Sequence, residues 1–308
     1  MPNSRLPRAW LKIGCQRRSP AAYKAFLAVA DLGTFSKAAE SLFITQPAIS
    51  KRIALLEDQL GSLLFDRIGK RVILNQAGKA LLPIARRILH DMKESQLVIE
   101  NLNGQVSGDL SLVTSHHIGL RRLPDTLKIF AETYPQVRLD LEFMDSEDAC
   151  HEIEKGNFEL GVVTLPSAKS KRLLLTALWN DPLAIAVAAD HPLVELADGK
   201  PLNITELAKH SAILPSVGTY TRSVIEKPVI QKQQSLDVIL ETNYLETIRM
   251  MVSIGLGWSA LPKAMLGNDL IEIVIKGLMI ERTLGIVQHA DRSLSNAGKA
   301  FIELLKPD

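Results

Sequence analysis

Between Gly33 and Arg67 the chain reads GTFSKAAESLFITQPAISKRIALLEDQLGSLLFDR, followed at once by the basic, hairpin-like IGKRVILN. A short helix bearing small alanines leads into a tight polar break, and a second helix opens at Thr45-Gln46-Pro47. On that second helix Ala48, Ile49, Ile53 and Leu56 fall on one face, while Gln46, Ser50, Lys51 and Arg52 fall on the other. A helix-turn-helix divides its labour in this way: one face holds two helices together and the other enters the major groove. Amide and hydroxyl side chains read base edges there, and Lys and Arg reach phosphates or guanine. The pattern predicts a DNA reader.

The same stretch resembles the LysR-type transcriptional regulators. The resemblance is carried by Phe26 and Val29, Gly33-Thr34-Phe35-Ser36, Ala38-Ala39 and Gln46-Pro47-Ala48-Ile49-Ser50. It continues through Leu56-Glu57, Leu60-Gly61, Leu64-Phe65, Arg67, Arg71, Leu74 and Ala77-Gly78. Asn75 stands where that family usually has Thr, and both residues can cap a helix N-terminus. The likeness covers nearly all of the chain after about residue 20, with its most specific motifs in residues 21–80. It implies an α/β fold: an N-terminal winged helix-turn-helix, a long linker helix, and a two-lobed α/β effector domain like that of periplasmic binding proteins. On this reading Gln46, Pro47, Ser50 and Lys51 face bases and nearby phosphates. Thr45 caps the recognition helix, Arg52 suits a phosphate, and Arg67, Lys70 and Arg71 serve the wing.

Charge supports the division. Residues 1–80 hold 13 Lys and Arg against 5 Asp and Glu, and the remainder holds 23 against 29, so a net charge of +2 hides a basic module on an acidic body. Such a module suits a phosphate backbone. Cys15 and Cys150 are the only cysteines, which excludes a disulfide framework and suits a reducing cytoplasm. No apolar run approaches the roughly 20 residues of a membrane span, and the basic first 20 residues lack the apolar core of a signal peptide. A cytoplasmic protein is expected. Residues 1–19 precede the resemblance; Arg5, Arg8, Lys12, Arg17 and Arg18 suit an arm that contacts the DNA backbone, and the alternatives are a disordered extension or a start codon placed too far upstream.

The expected domains are 20–78 for DNA binding, 79–107 for a linker helix and hinge, and 108–308 for regulation. Leu81, Ile84, Ile88, Met92, Ile99 and Leu102 recur about every 3.5 residues, as a two-helix dimer seam requires. An amphipathic helix packed within its own chain would show a similar stripe. Pro83 should kink the helix, and Gly104 and Gly108 punctuate a hinge.

Beyond the hinge, strand and helix alternate. Strands are expected at 110–114, 137–143, 160–165, 183–188, 212–214 and 238–241. Helices are expected at 118–133, 146–155, 204–209, 220–226 and 244–254. Alternation of this kind argues for parallel α/β layers. The resemblance adds two lobes with two chain crossings, lobe I at about 108–167 and 269–308, lobe II at about 168–268.

In open α/β sheets ligands collect beyond the C-terminal ends of strands. Thr114-Ser115-His116-His117 lies at such a junction, where hydroxyls and free backbone N–H groups favour an anion; in LysR-type regulators this loop commonly touches the effector. Ser216 and Thr219 occupy the equivalent loop of the second lobe, with Thr164 and Asn243 as candidate walls. Each hydroxyl has a plain alternative use as a helix cap. His116-His117 has no Glu or Cys at ligand spacing, so no metal is expected, and no cofactor. Gly255-Leu256-Gly257 lacks the third glycine of a dinucleotide loop. No nucleophile–base set stands at convincing spacing. A solute-binding protein would share the two lobes without the DNA reader. The expected partners are promoter DNA, a small anionic effector, further copies of the chain as dimer or tetramer, and RNA polymerase for an activator.

Overall fold

The computed structural model describes residues 19–68, 71–101, 104–168 and 170–305, and the chain forms two units, one through Gln96 and one from Leu97. Residues 1–18, Lys70 and Leu102 lie outside the described residues, as do the side chains of Arg67, Arg71 and Ile99.

In the first unit, α1 (Pro20–Leu32) begins on a proline, whose fixed φ suits a first turn, and stops at Gly33 in the left-handed region at φ 69. α2 (Phe35–Ser41) is capped by Thr34, whose Oγ1 accepts from Lys37 N at 3.2 Å. α3 (Gln46–Leu60) buries Ile49, Ile53 and Leu56 against Phe26, Val29 and Ala38. Burying one such side chain stabilises by about 1.5–3 kcal/mol. β1 (Phe65–Ile68) and β2 (Arg71–Leu74) form the antiparallel wing expected from IGKRVILN, pairing Arg67 with Val72 and Ile68 with Arg71. Val72 N donates to Gly33 O at 3.0 Å and ties the wing to the turn after α1.

α4 (Gln76–Asn101) runs through Pro83 without a break. Asn75 caps it: Oδ1 accepts from Gly78 N at 2.9 Å, and Nδ2 donates to Leu63 O at 2.9 Å. The seam needs correction. Leu81 and Ile88 pack, with Ala85 and Leu89, onto the core of their own DNA-binding unit. Of the described seam residues only Ile84 and Met92 are exposed, at 45% and 44%. A spacing near 3.5 residues fits either partner, and here the stripe is divided between them.

The second unit opens, after positive-φ Gly104 and Gly108, with β3 (Gly108–Thr114), α5 (His116–Arg121), α6 (Pro124–Thr133), β4 (Val137–Phe143), α7 (Ser146–Glu154) and β5 (Leu160–Thr164). The single helix expected over 118–133 is two helices, because Pro124 has no N–H to continue the ladder. β6 (Leu173–Ala188) follows, then α8 (Pro192–Ala197), α9 (Ile204–Leu207), β7 (Ala212–Leu214), α10 (Tyr220–Gln231), β8 (Val238–Glu241), α11 (Leu245–Ser253), β9 (Ser259–Pro262), β10 (Leu270–Ile273), β11 (Ile280–His289) and α12 (Asn296–Leu304).

The sheet is mixed, correcting the expectation of parallel layers. β3 pairs in parallel with β4 and β5, but β11 pairs antiparallel with β5 and β6, and β9 and β10 pair antiparallel with β6. β6 and β11 are long enough to serve both lobes, and this moves the expected lobe boundaries. Leu173 and Trp179 belong to the cores built on β3 and β5, whereas Ile273, Ile275 and Ile280 belong to the core around Trp258. The crossings lie inside two strands, near residues 180–183 and 280–284, not in loops at 167 and 268.

Candidate DNA-reading surface and effector cleft

On α3 the exposed edge carries Gln46, Pro47 and Lys51, with Ser50 and Arg52 half-buried beside it. Gln46 and Ser50 are one helical turn apart, so both face the same way while Ile49 and Ile53 hold the helix down. Thr45 occupies the N-cap position, but its hydroxyl caps nothing. Pro47 removes one of the two N–H groups a cap would bind, and Ala48 N donates to the Thr45 carbonyl at 3.0 Å. The exposed hydroxyl of Thr45 is thus left to other partners. Preceding it, Phe43 has φ 53 and is 96% exposed.

In the second unit, Ser115, His116, His117, Thr164, Thr219 and Asn243 come together in one cleft, joined by Asp145, Ser146, Glu147, Pro215, Thr221, Leu245 and Arg282. Ser115 stands at the start of α5 with no capping bond. His116 lies between the rings of Phe143 and Tyr244, at 5.3 and 4.7 Å between centroids. Two expected residues are elsewhere. Thr114 is buried and donates to Val162 O at 2.7 Å, an inter-strand tie. Ser216 acts through its backbone, its N–H donating to Asn243 Oδ1 at 2.8 Å. Thr219 does cap α10, accepting from Arg222 N at 3.2 Å and donating to Ser216 O at 2.9 Å, so its hydroxyl is largely committed.

The cleft floor is ionic. Arg282 on β11 lies opposite Asp181 on β6, with Nε donating to Asp181 Oδ2 at 2.7 Å and Nη1 donating to Thr221 Oγ1 at 2.9 Å. The two side chains are 5% and 6% exposed, yet Arg282 Nη2 has no partner. Across the cleft Asn243 Nδ2 donates to Asp145 Oδ2 at 2.6 Å, and Tyr220 N at the head of α10 donates to Glu147 Oε1. Thus the helix end that would welcome a ligand anion already holds a carboxylate of the chain itself. Burial raises the Glu147 pKa, opposed by that N–H. Burial and then the Arg282 charge lower the pKa of His117, which keeps its ring neutral at pH 7. His117 Nδ1 and Glu246 Oε1 are 3.6 Å apart, just beyond hydrogen-bond length, and Glu246 Oε1 also lies 3.7 Å from Arg121 Nε. The cleft is partly open to solvent and leaves about 40 Å³ of free space.

Residues 21–79 match the family model for the bacterial regulatory helix-turn-helix protein, lysR family, and residues 103–308 match the LysR substrate binding domain. The chain belongs to the LysR-type transcriptional regulators. The HTH-type regulator YbhD of Escherichia coli is 31% identical over 92% of this LysR-type chain and 89% of its own length. Among solved structures, full-length OxyR from Pseudomonas aeruginosa, solved as a cysteine variant, shares the fold at 23% identity and TM-score 0.66, over 93% of both chains. The regulatory domain of Synechocystis CcmR, solved in complex with 2-PG, matches at 24% identity and TM-score 0.58 over 65% of this chain and 96% of its own. In this regulator the sequence reading missed Asp145, Glu147, Thr221 and Arg282. Asp145-Ser146 at a strand–helix junction was a legible signal; Arg282, inside a strand paired across 101 residues, was not.

Proposed function

We propose that this LysR-type regulator reads its promoter through Gln46, Pro47, Ser50 and Lys51, and that a small effector carrying an anionic group sets its activity from the cleft between the lobes. Arg52, Arg67, Lys70 and Arg71 then hold the phosphate backbone. The observation that carries the effector half is the buried guanidinium of Arg282, one of whose amino groups has no acceptor. An unmatched buried donor of this kind costs about 1–3 kcal/mol, and a carboxylate or similar group would relieve it. Effector binding shifts the balance between arrangements of a dimer or tetramer by as much as its affinities for them differ. Work in the cytoplasm, and contact with RNA polymerase where the protein activates, complete the reading.

The test is binding of the full chain to the region upstream of its own gene. A specific complex that weakens steeply with salt is expected, because each phosphate contact releases counterion. Binding that neither prefers this DNA nor responds to salt contradicts the reading.

A further inference from the structure

Every helix end and side chain around the cleft bears on what kind of effector fits. The acid groups Asp145 and Glu147 line it, while the one guanidinium there, Arg282, is already matched in charge by Asp181. A ligand that is only an anion would add charge to walls that carry an excess of carboxylate. A ligand that is only a cation would leave Arg282 Nη2 as it stands. Among the described residues, Arg282 Nη2 is a buried donor on the cleft floor with no hydrogen-bond acceptor, and His117 Nδ1, also on the lining, has only Glu246 Oε1 near it, at 3.6 Å. A buried guanidinium N–H aimed into a cleft without an acceptor marks a place that a ligand's acceptor can complete.

Resting on the effector-cleft reading above, we infer that the effector is a small zwitterion, an amino acid or similar amine-bearing acid. Its acid group pairs with Arg282 and its ammonium lies against Asp145 and Glu147. Asn243 Nδ2 and Tyr220 N–H serve those two carboxylates from the other lobe. The ammonium competes for the same oxygens, so ligand entry and release of these cross-lobe contacts are one event. The loss of the Tyr220 contact exposes the head of α10, and Ser115, with its uncommitted hydroxyl, completes the polar wall.

Thermal-shift and calorimetric titration of the full-length chain test this with matched probes. These are the twenty L-amino acids, the 2-hydroxy and 2-oxo acids corresponding to them, and their carboxamides. At least one amino acid should bind, and its hydroxy acid, oxo acid and amide should each bind about tenfold or more weakly. Glu147→Gln and Asp145→Asn keep an acceptor for Tyr220 N–H and Asn243, so they should fold normally and weaken the amino acid by a similar factor. Because Arg282 is buried, it is tested as Arg282→Gln with Asp181→Asn, a neutral hydrogen-bonding pair, which should also lose binding. If a hydroxy or oxo acid binds as well as its amino acid and Glu147→Gln is silent, the zwitterion is wrong while the cleft stands. Absence of binding by every amino acid likewise overturns the zwitterion. Unchanged affinity in Ser115→Ala and in the Arg282–Asp181 double variant overturns the cleft itself.

Discussion

Asp181 and Arg282 face each other across β6 and β11 where the chain passes between lobes, with 2.7 Å between Oδ2 and Nε. The pair ties the two crossing strands together beneath the cleft, and the interior leaves its charges nowhere else to go. Removing one partner strands the other, at a cost of about 3–5 kcal/mol. Asp181→Ala should therefore lower the unfolding free energy of the second unit by that amount in urea titration. The paired change to Asn and Gln should recover most of it, and a loss in Asp181→Asn with Arg282→Gln equal to the sum of the losses in the two single variants would mean that the pair has no coupling.

Phe43 should be replaceable at a gain. Its backbone sits at φ 53, a region costly for a bulky side chain, and 96% exposure means that its ring contributes little packing to the chain itself. Phe43→Asn should stabilise the DNA-binding unit by about 0.5–1 kcal/mol. A drop in stability instead would show that the ring has an intramolecular partner in solution.

Oligomer contacts are better tested at Met92 than at Ile88. Met92 is exposed, while Ile88 packs on its own core. Met92→Glu should reduce the mass seen in light scattering and weaken promoter binding without lowering the thermal midpoint. Ile88→Glu should lower the midpoint by burying a carboxylate. Full retention of mass in Met92→Glu would place the helix contact elsewhere.

Cys150 should be inert. Burial pushes its thiol up to about 11 from an ordinary 9.0, so at pH 8 the reactive thiolate is about a hundredfold scarcer than in an unfolded chain. In a Cys15→Ser background, alkylation should slow by about that factor on folding. A pKa raised in the folded state contributes stability that is present below pH 9 and is lost as pH rises through about 11. Burial raises Tyr220, its hydrogen-bond partner, in the same direction. Denaturant midpoints should accordingly fall between pH 8 and pH 11, and rapid alkylation at pH 8 would place the thiol in a more open setting.

Local signals were legible and long-range ones were not. The 3.6-residue rhythm of Ile49, Ile53 and Leu56 marks the buried face of α3, and the alternation of residues 137–143 marks β4, because each depends only on near neighbours. Asn75 was readable as a cap for the same reason. Thr219 shows the ambiguity of a single hydroxyl: lining the cleft and capping α10 carry the same sequence signature, and the structure has it doing both. What stayed hidden was register. β6 and β11 are paired over ten residues of each other's length, and only that pairing sets Arg282 against Asp181 and shifts the lobe crossings into strands. Pro124 carried a stop signal inside an apolar periodicity that otherwise reads as one helix.

Whether α3 reads sequence is decided by Gln46→Ala on the full chain. Titration by fluorescence anisotropy on promoter and scrambled duplexes at matched salt gives the specificity ratio. Loss of one base contact should lower promoter affinity by about 1–3 kcal/mol and leave scrambled DNA nearly unchanged, so the ratio falls about fivefold or more. A ratio unchanged from wild type, with either equal or parallel losses on both duplexes, would contradict the assignment of this helix face to base recognition.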